Sequence, residues 1–203
     1  YRAFEQPEQT VSEVYMRAYS IRGVMATAAL LVAISACGDS TEPLLLPLPE
    51  EVVAVELTDF NTGSLLDPSA FDLISRTVIR TDQNSGWDFV FYVDETEGPL
   101  LVSRGLYTED EDSEPGIQVV LSSFEDLTEA PDNGYAILDP VQIAVGDVVV
   151  SRSRQDLSYG SLRCRYFGKF SVDAIDATKG TVTLSHLVNP NCENRNLDPS
   201  TNP

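Results

Sequence analysis

From residue 51 onward the chain alternates short runs of β-branched and aromatic residues with clusters of Gly, Pro, Asn and Asp, and no stretch sustains a helical period. The runs at 51–57, 74–81, 87–93, 100–107, 117–121, 147–154, 162–175 and 181–188 read as strands. Residues suited to tight turns separate them, among them Asn61-Thr62-Gly63, Asn84-Ser85-Gly86, Glu97-Gly98-Pro99 and Pro131-Asp132-Asn133-Gly134. Two alternating runs flank Asp176-Ala177-Thr178-Lys179-Gly180, which is a hairpin signature. The pattern predicts an all-β domain over residues 51–188, an antiparallel β-sandwich or barrel-like fold. Within Trp87-Asp88-Phe89-Val90-Phe91-Tyr92-Val93, alternation puts Trp87, Phe89, Phe91 and Val93 on one face, the expected core face. A charge placed there is expected to be severely destabilising. Residues 189–203, rich in Asn and Pro, read as an extended C-terminal tail.

The first 50 residues follow a different pattern. Two arginines, Arg17 and Arg22, precede an uncharged apolar run from Gly23 to Ile34 and then small residues, the three-part arrangement of an export signal over residues 16–36. The run falls short of the roughly 20 residues that span a bilayer as a helix. Ile34-Ser35-Ala36-Cys37 resembles the lipobox of bacterial lipoproteins. The resemblance implies that the Cys37 sulfur receives a diacylglycerol and that the signal is cut before it, leaving Cys37 as the acylated first residue. Small residues at 35 and 36 let a peptidase approach the backbone, and a thiol supplies the nucleophile for the lipid. Each buried methylene contributes about 0.8 kcal/mol, so several acyl chains hold a protein where one does not. In that family an Asp directly after the cysteine tends to retain proteins in the inner membrane. This chain has Gly38 there, so the resemblance points to the outer membrane as the cell-envelope address. Residues 37–50, with Pro43, Pro47 and Pro49, read as a tether. Residues 1–15 precede Met16, carry no apolar run, and read as an upstream extension outside the native protein.

Composition narrows the function classes. Hydrophobic residues make up 42% and charged residues 22%, which fits a globular domain rather than wholesale disorder. The net charge is −19, and because three basic and three acidic residues cancel ahead of Cys37, the exported part carries all of it. A surface this acidic repels phosphate backbones, which argues against nucleic-acid partners, and it favours solubility.

With Cys37 assigned to lipid, Cys164 and Cys192 remain as an even pair, and an oxidising compartment predicts a disulfide between them. Closing that loop contributes about 3 kcal/mol. His186 is the sole histidine, so no multi-histidine metal cage can form. Serines 151, 153 and 158 lie in no nucleophile-elbow pattern, and no glycine-rich phosphate loop appears. Carboxylates are abundant, but abundance alone does not select a catalytic pair. The acidic run Glu109-Asp110-Glu111-Asp112-Ser113-Glu114 is a candidate Ca²⁺ collector, through Glu109 to Asp112, that lacks the ligand spacing of an EF-hand. Arg152, Arg154, Arg163, Arg165 and Lys169 concentrate basic charge in an acidic chain and form the candidate surface for an anionic ligand. Alternation pairs Arg152 with Arg154 and Arg163 with Arg165 on shared faces.

Several segments together resemble the HmuY-like lipoproteins: Phe60-Asn61-Thr62-Gly63, Ser85-Gly86-Trp87-Asp88-Phe89-Val90-Phe91, Phe124-Glu125-Asp126-Leu127-Thr128-Glu129-Ala130-Pro131, and the closing pair around Tyr166–Phe170 and Gly180–Leu184. The resemblance implies an all-β, outer-membrane-tethered haem binder as one reading. Haem-binding members use two axial side chains, histidines or methionines. Past Cys37 this chain has one histidine and no methionine, since Met16 and Met25 both precede it, so a bis-histidine or histidine-methionine site within one chain is excluded and no axial residue carries over. The leading expectation is a lipid-anchored, non-enzymatic module that binds a small-molecule or protein ligand without a resident cofactor. A haem or porphyrin binder and a carboxylate-based hydrolase are the alternatives.

Overall fold

The computed structural model describes residues 45–109, 114–158 and 163–201. Ten strands build two five-stranded antiparallel sheets, the all-β sandwich that the alternation predicts. The first sheet contains β1 (Val53–Thr58), β6 (Gly116–Val120), β8 (Val148–Arg152), β9 (Phe167–Asp176) and β10 (Thr181–Val188), in the order β1-β10-β9-β8-β6. The second contains β2 (Ala70–Asp72), β3 (Thr77–Ile79), β4 (Phe89–Asp94), β5 (Gly98–Ser103) and β7 (Val141–Gln142), in the order β3-β2-β4-β5-β7. The β9–β10 hairpin closes as its sequence directs. The Asp176 carboxylate accepts the backbone N–H groups of Thr178 and Lys179, and Gly180 takes a positive φ of 66°.

The interior between the sheets is filled by Phe71, Phe89, Phe91, Phe170, Leu101, Leu184 and their neighbours, all buried. Phe71 and Phe89 stack at 5.6 Å, and Phe170 meets both edge-on at 5.0 and 5.2 Å. These contacts add to the hydrophobic gain of about 1.5–3 kcal/mol per buried large side chain. Both outer faces are covered by the chain's own loops. Leu48, Leu127, Ala130 and Leu197 close over Val148, Val150 and Phe167 on the first sheet, while Phe60 and Trp87 close over Val90, Leu100 and Val102 on the second.

That second cover corrects one expectation. Phe89, Phe91 and Val93 face the core, but Trp87 packs on the outer side with Phe60 and Tyr107, at 6.2 and 5.6 Å between ring centroids. The strand begins only at Phe89, so strict alternation does not extend back to residue 87. The run at 100–107 likewise ends as a strand at Ser103, and α1 (Gly105–Thr108) follows, closed by Glu109 in the left-handed conformation. Sequence patterning misses β2 and β7, which are three and two residues long and too short to show a period. Residues 189–201, expected to trail as a tail, belong to the fold: Leu197 and Asn189 are fully buried, and Leu197 N–H donates to Thr128 O. The tether also docks before β1, with Leu48 buried and Leu46 exchanging hydrogen bonds of 2.7 Å with the Asn191 side chain. Among the described residues no helix is long and apolar enough to cross a membrane.

Candidate functional site

One end of the sandwich gathers the chemistry. It carries the start of β1, the β2–β3 hairpin, the start of β4, the ends of β5, β8 and β10, and the incoming tether. The disulfide forms there, joining Cys164 and Cys192 across a Cα separation of 5.2 Å. Cys164 also exchanges backbone hydrogen bonds with Asp156, so the bridge fixes the C-terminal segment to the β8–β9 connection.

The five basic residues grouped by sequence go to different places. Arg152 lies on the outer face of β8, alongside Val148 and Val150, its Cα opposite Phe167 of β9. Arg165 precedes β9 and comes close enough for its charge to disfavour that of Arg152. Burial is the larger cause of that lowering, with Arg165 second. The Arg152 guanidinium sits over the Tyr135 ring at 5.2 Å, and burial pushes the Tyr135 hydroxyl up. Glu193 tempers the pair through space, yet no carboxylate of the described residues lies within ion-pair distance of Arg152. The Arg152 Nε and the Gln118 Oε1 are both buried without a partner. One is a donor and the other an acceptor on paired strands, β8 and β6, so the surface holds unspent hydrogen-bonding capacity beside a positive charge. Gly116 makes this packing possible, since a Cβ there would lie 2.6 Å from the Tyr135 Cβ and 3.3 Å from the Arg152 Nε.

Arg154 does not share this surface with Arg152, as alternation had paired them. Past the end of β8 the chain turns towards the second sheet, and the Arg154 guanidinium bridges Asp72 at 2.9 Å and Asp88 at 3.1 Å. Asp88 is fully buried and also accepts the backbone N–H groups of Leu73 and Arg154. Burial pushes its carboxyl up to about 6, against the opposing pull of Arg154. The group is a clamp between sheets. Lys169 is also structural: its buried ammonium donates to Phe124 O and Leu127 O, pinning the loop over the first sheet, and burial lowers its proton affinity. Arg163 is exposed.

Of the acidic run, Glu109 and Glu114 are described, and Glu114 lies 3.8 Å from Arg104; Asp110, Glu111 and Asp112 lie outside the described residues, as does Cys37. Among the described residues no three His, Cys, Asp or Glu side chains come together as a metal site.

Two residues escaped sequence reasoning. Arg76, in the left-handed conformation at φ 58° in the β2–β3 hairpin, stands between two recesses of about 200 and 330 Å³. His186 lines the smaller one. It is 6% exposed, faces inward with its ring against Phe71 and Phe170 at 4.8 and 5.8 Å, and its Nδ1 is buried without a partner. Burial lowers its proton affinity and keeps the ring neutral, with the Val53 carbonyl as the opposing influence. The chain matches no family model, no curated protein and no solved structure.

Proposed function

We propose that the chain is a cell-envelope lipoprotein, held at the membrane by acyl chains on Cys37, whose acidic β-sandwich is a non-enzymatic binding module that takes an anionic ligand at Arg152 and Arg165. The observation that carries the ligand reading is the Arg152 guanidinium, seated over Tyr135 with a buried Nε that has no hydrogen-bond partner, in a chain with net charge −19. The charge of Arg165 opposes that of Arg152. An anion spanning both relieves that repulsion and uses the paired donors that Arg provides. A sandwich filled with phenylalanines supports recognition at the surface rather than in the interior.

Two measurements test the two halves. Incorporation of labelled palmitate and recovery in the membrane fraction are expected for the natural chain and lost in Cys37→Ala. Labelling that persists in Cys37→Ala refutes the anchor. Titration with inorganic phosphate at constant ionic strength is expected to raise the thermal midpoint of the natural protein and leave Arg152→Gln/Arg165→Gln unmoved. Equal behaviour of the two proteins refutes the ligand site.

A further inference from the structure

We infer that the recess shared by Arg76, Glu51 and His186 is a binding site for an apolar α-amino acid, of about the size of leucine. This site is separate from the Arg152–Arg165 face and does not depend on it.

Three kinds of polar group line the recess, and they differ in charge. Arg76 is exposed, and no hydrogen bond or ion pair involves its side chain among the described residues. In a chain this acidic an arginine left without a carboxylate is unusual, and the hairpin holds it at a backbone conformation that non-glycine residues rarely adopt. Glu51, also exposed, supplies a negative charge that is not engaged with Arg76, since no ion pair forms between them. His186 offers a neutral acceptor, its buried Nδ1, with the ring more than nine-tenths buried. The remaining wall is apolar and comes from Val53, Leu187 and Val188.

The complementary molecule carries an anion, a cationic or neutral donor, and an apolar body within a small volume. An apolar α-amino acid satisfies all three. Its carboxylate meets the Arg76 fork, its ammonium donates to Glu51 and towards His186 Nδ1, and its side chain lies on Val53, Leu187 and Val188. The volume of about 200 Å³ suits a ligand of the size of a single amino acid such as leucine. Nδ1 is buried, and the segment that carries the lining residues Pro49 and Glu51 precedes β1 without a strand partner.

The sole histidine makes the test direct, because the imidazole ¹⁵N spectrum of the full chain contains one residue's signals. Leucine at about 10 mM is expected to shift the Nδ1 resonance saturably. Leucinamide, which lacks the carboxylate, and 4-methylpentanoate, which lacks the ammonium, are expected to bind about ten- to hundredfold more weakly, as the loss of one charge-assisted hydrogen bond dictates. Arg76→Gln is expected to abolish the preference for leucine over leucinamide, with its thermal midpoint unchanged because the side chain lies on an exposed turn. A resonance unmoved by leucine overturns the site. Equal response to all three compounds overturns the assignment to an amino acid. Retention of the leucine preference in Arg76→Gln overturns the role of Arg76.

Discussion

Replacing Arg154 with methionine removes the cation that joins the two sheets while keeping most of the side chain's length and apolar contact. In the natural chain one guanidinium nitrogen lies 2.9 Å from Asp72 and 3.1 Å from Asp88, whose side chains are 7% and 0% exposed. Breaking a buried pair by removing one partner costs about 3–5 kcal/mol, because the opposite charge stays buried without compensation. Here the loss should fall near the lower end, about 3 kcal/mol at pH 7.5. Asp88 keeps two backbone donors, Leu73 N–H and Arg154 N–H, and Asp72 keeps Ile74 N–H and the Ser75 hydroxyl.

The pH dependence separates this charge effect from lost packing. The folded-state pKa of Asp88, already raised to about 6 from 3.8, rises further once Arg154 is gone. A carboxyl whose folded pKa is raised contributes stability that is fully present below the unfolded pKa and lost as pH rises through the folded one. The deficit of Arg154→Met should therefore be largest at pH 7.5 and shrink to about 1 kcal/mol or less at pH 4.5, where the Asp88 carboxyl is protonated. Arg154→Lys keeps the charge, loses the fork, and should fall between. Urea unfolding followed by the fluorescence of Trp87, the neighbour of Asp88, reads both quantities. A deficit equal at the two pH values, or below about 1 kcal/mol at pH 7.5, refutes the clamp.

Three further outcomes are expected. Cys164→Ser/Cys192→Ser should lower stability by about 3 kcal/mol and raise hydrogen exchange first in residues 189–201, seen by mass spectrometry; uniform loss across the domain counts against a local staple. His186, with its proton affinity lowered by burial, stays neutral in the fold while the unfolded residue gains a proton below about pH 6.5. Stability should thus fall as pH drops through that window relative to His186→Phe, opposite in sign to Asp88, and parallel pH profiles for the two proteins refute it. Gly168→Ala puts a Cβ 2.8 Å from the Val188 side chain and 3.3 Å from Leu187 O, so a loss of about 1–3 kcal/mol is expected in thermal unfolding.

The sheets were legible because their signal is local. Alternation along 87–93 and 181–188 identifies buried faces, and Asp176 with Gly180 dictates the turn without reference to any other part of the chain. Segments whose structure comes from distant partners were not legible. Asn189 to Leu197 look like a tail because Asn and Pro neither alternate nor favour a helix, yet Asn189 and Asn191 fold the segment by bonding to Asn196 O and to Leu46. The first bond closes the segment on itself, and the second partner is 145 positions away in sequence. Buried asparagines that satisfy a backbone stand in for the hydrophobic pattern that a strand would show.

The site failed to read out for the same reason, and the arginines show how. Sequence alternation is valid only while the chain remains in a strand. Arg152 is the last residue of β8, so the step to Arg154 leaves the sheet and turns that guanidinium to a carboxylate pair 82 and 66 positions earlier. Cross-strand register decides what Arg152 meets instead. Its Cα lies opposite Phe167, and Arg165, in the segment leading into β9, comes near enough for its charge to disfavour that of Arg152. A basic cluster in sequence thus divides into Arg154, which holds the sheets together, Lys169, which pins a loop, the exposed Arg163, and Arg152 over Tyr135 with the charge of Arg165 nearby. Arg152, whose buried Nε has no hydrogen-bond partner, is the member of the cluster around which a ligand is proposed.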